Sequence, residues 1–289
     1  MALPTTNKSF WEDNPNAAQV SQWTSDPFIA AAIYQRISNR ESRGHWIDWL
    51  FNRHLKNDRF NRILSIGCGV GDHELAIAEI LPETSIDAFD FSNSSIALAQ
   101  SKVRAKGLEN LNLFVGNFNE IELDPSAYDL VLCSGSLHHV RELEHLLGEV
   151  RSSLTAGGLF VVNEYVGDCY NIYGEDQISF IQQVLNGLPA SMRYIDHFPN
   201  PTIEDVFDRD PTEAVRAKLI PDFLRIYFSV IDERRLGGSL LHPLYPFLNI
   251  EKIQSEPDFH EAIMNGLIIL DDQRLAQGRS DFSFFICRA

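Results

Sequence analysis

Through the middle third of the chain, short apolar runs alternate with segments whose apolar residues recur every three or four positions. Residues 62–66 (RILSI), 85–90 (SIDAFD), 111–115, 128–133 (YDLVLC) and 159–163 (LFVVN) predict strands. Strands this uniformly apolar are buried on both faces, as in a parallel sheet covered by helices on each side. Between them, residues 73–81 carry Leu75, Ala76, Ala78, Ile80 and Leu81 on a helical spacing. Residues 94–106 predict an alanine-rich helix stopped by Gly107, and residues 142–154 another. Ala156, Gly157 and Gly158 predict a turn before the fifth strand. The fold class is α/β, built on a mostly parallel sheet.

Beyond residue 164 the rhythm loosens. Residues 165–210 show no strand pattern, only a helical stretch at 177–188 and breaks at Pro189, Pro199, Pro201 and Pro211. A helix over 212–224, opened by Asp210-Pro211, should precede a strand at 225–232 (RIYFSVID). A last strand is expected at 282–287 (FSFFIC), after a Gly237-Gly238 loop, an apolar stretch at 240–250 and a helix at 258–270. The chain thus divides into an N-terminal helical cap, 1–58, and a main domain, 59–289. Segments 165–210 and 237–272 are the expected insertions that shape a substrate pocket. Phe10, Trp11, Trp23, Phe28, Tyr34, Trp46 and Trp49 crowd the cap. They either roof a site or dock helices onto the sheet. The apolar stretch at 240–250 suits a homodimer contact or a pocket wall.

Composition narrows the partners. A chain of 289 residues with 44% hydrophobic content can bury a sizeable core. Asp and Glu outnumber Lys and Arg by 40 to 24, a formal net charge of −16. Nucleic acids and anionic membranes are therefore poor partners, because phosphate binding draws on clustered basic residues. No apolar run approaches the roughly 20 residues of a membrane span. The first ten residues lack the basic-then-apolar order of a secretion signal, so a cytoplasmic protein is expected. Cys68, Cys133, Cys169 and Cys287 show no paired spacing, which predicts reduced thiols and no metal site.

The strongest chemical signal is the run from Ile63 to Gly71 (ILSIGCGVG), a strand that meets three glycines at alternate positions before a helix. Glycine lets the backbone turn sharply and lets a ligand lie against it. A dinucleotide loop reads G-x-G-x-x-G and seats a pyrophosphate at the helix N-terminus. Here the position three after Gly69 is Asp72, which would repel a phosphate and suits a zwitterionic amino-acid tail. About 20 residues on, Asp90 ends the second strand, where a carboxylate can accept ribose hydroxyls.

ILSIGCGVG, then FDFS at 89–92, GNFNE at 116–120, YDLVLCSGSLHHV at 128–140 and LTAGGLFVVNE at 154–164 resemble the successive motifs of class I S-adenosylmethionine-dependent methyltransferases, in their order and spacing. The resemblance implies a Rossmann-like sheet with an antiparallel last strand, and S-adenosylmethionine as cofactor. Gly67, Cys68, Gly69 and Gly71 would face its methionine part and Asp90 its ribose. Phe91 would lie along the adenine, Asn117 would bond its amino group, and Phe118 would add a backbone contact. Ser134 and His139 would close the pocket. Ser65 stands where the family usually has an acid that orients the cofactor's amino end; Asp72 or His73 is expected to compensate. NEYVG at 163–167, DPTEAVRAKLIP at 210–221 and GGSLLHPL at 237–244 are similar to a bacterial branch linked with specialised-metabolite or surface-glycan pathways. That similarity implies a small-molecule acceptor.

Methyl transfer is an in-line displacement, so alignment is the enzyme's main contribution, and a base is needed only where the acceptor must lose a proton. Glu164, ending an apolar strand, is the first candidate base, followed by His138, His139 and His242. Tyr165 and Trp23 are candidate substrate contacts. His197 and Asp168 complete the set, and Arg43 is a candidate for the cofactor carboxylate. The reading is a methyltransferase of a small hydroxyl-bearing acceptor. Its rivals are a methyltransferase of a carrier- or nucleotide-linked intermediate and a catalytically silent binding protein that keeps the fold.

Overall fold

The computed structural model describes residues 22–289. The part of the expected cap that holds Phe10 and Trp11 lies outside the described residues. Two short helices lead in: α1 (Pro27–Ile37), whose first amides are capped by the Asp26 carboxylate, and α2 (Trp46–Trp49), which runs on into one π-turn. The alternating core follows as β1 (Arg62–Ile66), α3 (Asp72–Ile80), β2 (Ser85–Asp90), α4 (Asn93–Lys106), β3 (Leu111–Val115), β4 (Tyr128–Ser134), α5 (Leu143–Ser153) and β5 (Leu154–Tyr165). Gly107, in the left-handed conformation at φ +65°, ends α4 as the sequence predicts.

The chain then adds α6 (Glu175–Gly187), α7 (Ile203–Arg209), α8 (Ile220–Tyr227), β6 (Ser229–Gly237), α9 (Leu241–Leu244), α10 (Ile250–Gln254), α11 (Pro257–Ala276) and β7 (Phe282–Arg288). The sheet order is β3-β2-β1-β4-β5-β7-β6, parallel except that β7 runs antiparallel between β5 and β6. This is the Rossmann-like α/β sheet the motifs imply. Leu130, Val131, Leu132, Phe160, Val161 and Val162 are fully buried, so the central strands are covered on both faces.

Four sequence expectations shift. Of the helix expected at 212–224, residues 212–216 are a turn, with Ala214 at positive φ, 217–219 are a 3-10 turn, and the α-helix begins only at Ile220, where Pro221 opens it. Ile220 and Leu224 are buried one turn apart, so residues 225–227 continue that helix and the strand expected at 225–232 starts instead at Ser229. The expected turn at 156–158 lies within β5, where Gly157 at φ +81° accompanies a break in register against β4. Finally, the apolar stretch at 240–250 is not an exposed face: Leu240, Leu241, Leu244, Tyr245 and Leu248 are buried in the chain's own core.

The aromatic residues near the N-terminus serve both expected purposes. Trp46 and Trp49 pack edge-on against Phe284 of β7 and dock α2 onto the sheet. Trp23, Tyr34 and Trp46 also border the cavity described next.

Candidate functional site

A cavity of about 570 Å³ opens at the carboxyl ends of β1, β2, β4 and β5, where open α/β sheets bind ligands. Its floor is the glycine loop. Gly67, Gly69 and Gly71 have φ of +68°, +53° and +78°, and a Cβ on Gly67 would collide with the Ser136 side chain. Asp90 braces the loop: Oδ2 accepts from Gly69 N at 3.0 Å and Oδ1 from Ser92 N at 2.9 Å. Burial raises the Asp90 carboxyl while these amides pull it down. Cys68, Phe91, Asn117, Phe118 and Ser134 also line the cavity. Asn117 Oδ1 accepts from Asn119 N at 3.1 Å and from Asn119 Nδ2 at 3.4 Å, which leaves its amide hydrogens for a ligand.

The opposite wall holds a cluster of charge. Glu164, 1% exposed, accepts from the amides of Ser136 (2.9 Å), Leu137 (2.6 Å) and Tyr165 (2.6 Å), and contacts His138 Nδ1 at 2.5 Å. Burial works against a charge on His138, but Glu164 and then Glu213 outweigh it and push the pKa up to about 9. The adjacent ring, His139, is driven below the usual histidine value by burial and by the His138 charge. His139 Nδ1 lies 3.1 Å from Thr212 Oγ1, whose own hydrogen goes to Asp210 Oδ1 at 2.7 Å. Thr212 must therefore accept from Nδ1–H, the tautomer in which Nε2 keeps its lone pair.

Glu213 sits beneath both rings, with Oε1 4.0 Å from His138 Nε2 and Oε2 3.9 Å from His139 Nε2. Burial opposes its charge, yet the two histidines hold its pKa below the usual carboxylate value. His138, His139 and Glu213 form a donor set of metal-binding type. One ligand atom of each lies within 4.8 Å of the others. His242 packs between Tyr165, Phe282 and Trp23, with a buried Nδ1 that has no hydrogen-bond partner. Burial drives its pKa down to about 4 against the pull of Glu213, so the ring is neutral.

Most of the expected site residues therefore border one space: Gly67, Cys68, Gly69, Asp90, Phe91, Asn117, Phe118, Ser134, His138, His139, Glu164, Tyr165, His242 and Trp23. Gly71 caps α3 behind it and lies against Ala99. Asp168 is spent on Lys218 at 2.6 Å, and His197 and Arg43 are exposed away from the cavity. Sequence reasoning missed Asp210, Thr212, Glu213 and Glu74. The run 210–213 (DPTE) reads in the sequence as a helix start and as part of a similar segment, and nothing in its spacing marks its polar residues as a site.

Residues 57–197 match the family model described as a methyltransferase domain. Among curated proteins, the chain is 28% identical over 137 residues to demethylmenaquinone methyltransferase of Geobacillus kaustophilus, covering 46% of this chain and 58% of that enzyme. It is 24% identical over 137 residues to the malonyl-acyl-carrier-protein O-methyltransferase of Bacillus cereus, covering 47% of this chain and 49% of that enzyme. The chain thus spans about half the length of the curated relatives it matches. Among solved structures, Haemonchus contortus phosphoethanolamine N-methyltransferase 2, in complex with S-adenosyl-L-methionine, superposes with a TM-score of 0.54 at 16% identity, over 96% of this chain and 59% of that one. That likeness is one of fold. Among the described residues, no helix is long and apolar enough to cross a membrane.

Proposed function

The chain is a member of the class I S-adenosylmethionine-dependent methyltransferases by its residues 57–197, and from that premise we propose that it methylates a hydroxyl of a small-molecule acceptor. The residues fit the cofactor. The glycine loop leaves open the space that a Cβ at Gly69 would enter, with nothing within 4 Å of it, and a buried carboxylate oxygen of Glu74 is unpartnered nearby. In this reading Gly67, Cys68 and Gly69 lie along the methionine part and Asp90 takes the ribose. Phe91, Asn117, Phe118 and Ser134 surround the adenine. When bound, S-adenosylmethionine supplies a methyl carbon on a positively charged sulfur that leaves as the thioether.

The observation that carries the acceptor reading is the pair His138 and His139 on the cavity wall, the first ring bound to the Glu164 carboxylate and the second to the Thr212 hydroxyl. His139 Nε2 takes the proton of the acceptor hydroxyl, while Thr212 and Asp210 hold its Nδ1–H. Glu213 steadies the imidazolium that results. Glu164, with every near lone pair committed to an amide or to His138, positions the wall and touches no acceptor. Tyr165, Trp23 and the neutral His242 make an apolar, aromatic rest for the acceptor body. We place the protein in the cytoplasm, in keeping with its four free cysteines.

Calorimetric titration with S-adenosylmethionine and S-adenosylhomocysteine, with NADH as control, tests the cofactor. Transfer of labelled methyl groups to a panel of phenols, sugars, quinols and carrier-linked acyl groups then tests the acceptor. Binding of the two sulfur nucleosides with transfer to a free hydroxyl supports the proposal. Transfer solely to a carrier-linked group favours the second reading, the one suggested by the name of the Bacillus cereus relative. Cofactor binding with no transfer to any acceptor favours the silent binding protein.

A further inference from the structure

Ser65 leaves strand β1 without the acid that the family motif carries there, yet a carboxylate occupies the same ground. Glu74, in the first turn of α3, turns back towards the strand so that its Oε1 accepts from Ser65 Oγ at 2.5 Å. Glu74 is 2% exposed, and its Oε2 is buried with no hydrogen-bond partner. Both residues border the cavity beside Gly67, at the end walled by Trp46, Tyr34 and His73. A buried charged oxygen left unsatisfied costs at least about 1–3 kcal/mol. Among the described residues no ion pair reaches it.

The groups that face Glu74 do not neutralise it. Asp72 and Asp90 are acids, and Cys68 is a thiol that burial keeps protonated. His73, which lies against His45, is pushed down to about 4 by burial and so carries no charge. Asp72, one of the two residues expected to compensate for Ser65, is exposed and bound to Lys102 at 2.5 Å. The other, His73, is a neutral ring.

We propose that Glu74 is the acid that receives the ammonium of the cofactor's methionine end, supplied from helix α3 in place of strand β1, with Ser65 as the residue that positions it. This rests on the cofactor reading above. Glu74 reaches the end of β1 from the helix, where the Ser65 hydroxyl donates to it. Burial raises the free carboxyl to about 7, and a bound ammonium stabilises the ionised form.

Titration with S-adenosylhomocysteine and with 5′-methylthioadenosine, which lacks the amino-acid end, separates this role from a structural one. Glu74→Gln should weaken S-adenosylhomocysteine by about 10- to 100-fold, as for a lost charged hydrogen bond, and leave methylthioadenosine unchanged. Adding Ser65→Asp to Glu74→Gln should recover most of the loss. In the unaltered protein, affinity for S-adenosylhomocysteine relative to methylthioadenosine should fall as pH drops below about 7, a measurement that needs no variant to fold. Equal weakening of both ligands, or a flat affinity ratio across that pH range, overturns the assignment. If the unaltered protein binds neither ligand, the cofactor reading itself fails and the assignment with it.

Discussion

Glu164 Oε1 and His138 Nδ1 meet at 2.5 Å at the buried end of β5, and the contact decides how the wall of the cavity is charged. The same carboxylate holds the amides of Ser136, Leu137 and Tyr165. Ser136 in turn donates to Ile66 O at 3.0 Å and fills the space above Gly67. One buried acid therefore ties the turn after β4, the end of β5 and the glycine loop together, and its contact raises the His138 pKa.

Glu164→Gln follows from that arrangement. Whichever oxygen becomes an amide group then faces two donors, leaving buried N–H groups unsatisfied at about 1–3 kcal/mol each. Thermal unfolding should show a clear loss of stability, and S-adenosylhomocysteine affinity should drop with it. A variant of normal stability and affinity whose turnover falls about 10²–10⁴-fold would instead restore Glu164 as the base.

His139→Gln should slow turnover by about 10²–10⁴-fold while S-adenosylhomocysteine affinity, read by calorimetry, stays within a few fold. In the unaltered enzyme the His139 pKa lies below its usual value, so the rate should fall only on the acid side of pH 6.5 and be level near neutrality. A rate that climbs steadily from pH 7 to 9 would exclude a depressed histidine as the base.

His138 gives a prediction about stability. Its pKa is raised from 6.5 to about 9, so the folded state binds the proton more tightly than the unfolded chain does. That contribution is complete below pH 6.5 and disappears as pH rises through 9. His138→Gln should therefore cost most near pH 6 and progressively less towards pH 10, as measured by denaturant midpoints. An equal cost at every pH would show that the ion pair with Glu164 is not the source.

Asp90→Ala should weaken S-adenosylhomocysteine by about 1.5–3 kcal/mol, the scale of hydrogen bonds to a charged group. It should also lower stability, because Gly69 N loses its acceptor. Unchanged affinity would remove Asp90 from the site.

Gly67→Ala and Gly69→Ala form a contrasting pair. Both positions have positive φ, which costs a non-glycine residue about 1–3 kcal/mol, but a Cβ at Gly67 also strikes Ser136 whereas none of the protein lies within 4 Å of one at Gly69. Denaturant unfolding should find the first variant much less stable than the second. Equal stabilities would mean that the Ser136 contact yields easily.

The sheet and half of the site were legible in the chain because they are local. Strands buried on both faces announce themselves as uninterrupted apolar runs, and Gly67, Gly69 and Asp90 sit at strand ends whose positions follow from that pattern. Residues 225–228 read as strand in the sequence because Ile226, Tyr227 and Phe228 suit a strand as well as they suit a helix face. Burial of Ile220 and Leu224 against the core settles the matter for the helix.

The charged wall is a different kind of information. Glu164 and His138 are 26 residues apart in sequence, and His139 meets Thr212 across 73. Whether a carboxylate in such a group receives a substrate proton or only holds amides depends on what surrounds it in space. By itself the sequence determined the α/β sheet, its glycine loop and the acid at the end of β2, since each rests on short-range backbone conformation and periodic burial. Only the tertiary structure decided which histidine is charged, that Glu164 is enclosed by amides and that Glu74 stands behind Ser65, because desolvation and ion pairing depend on distances the linear order does not contain.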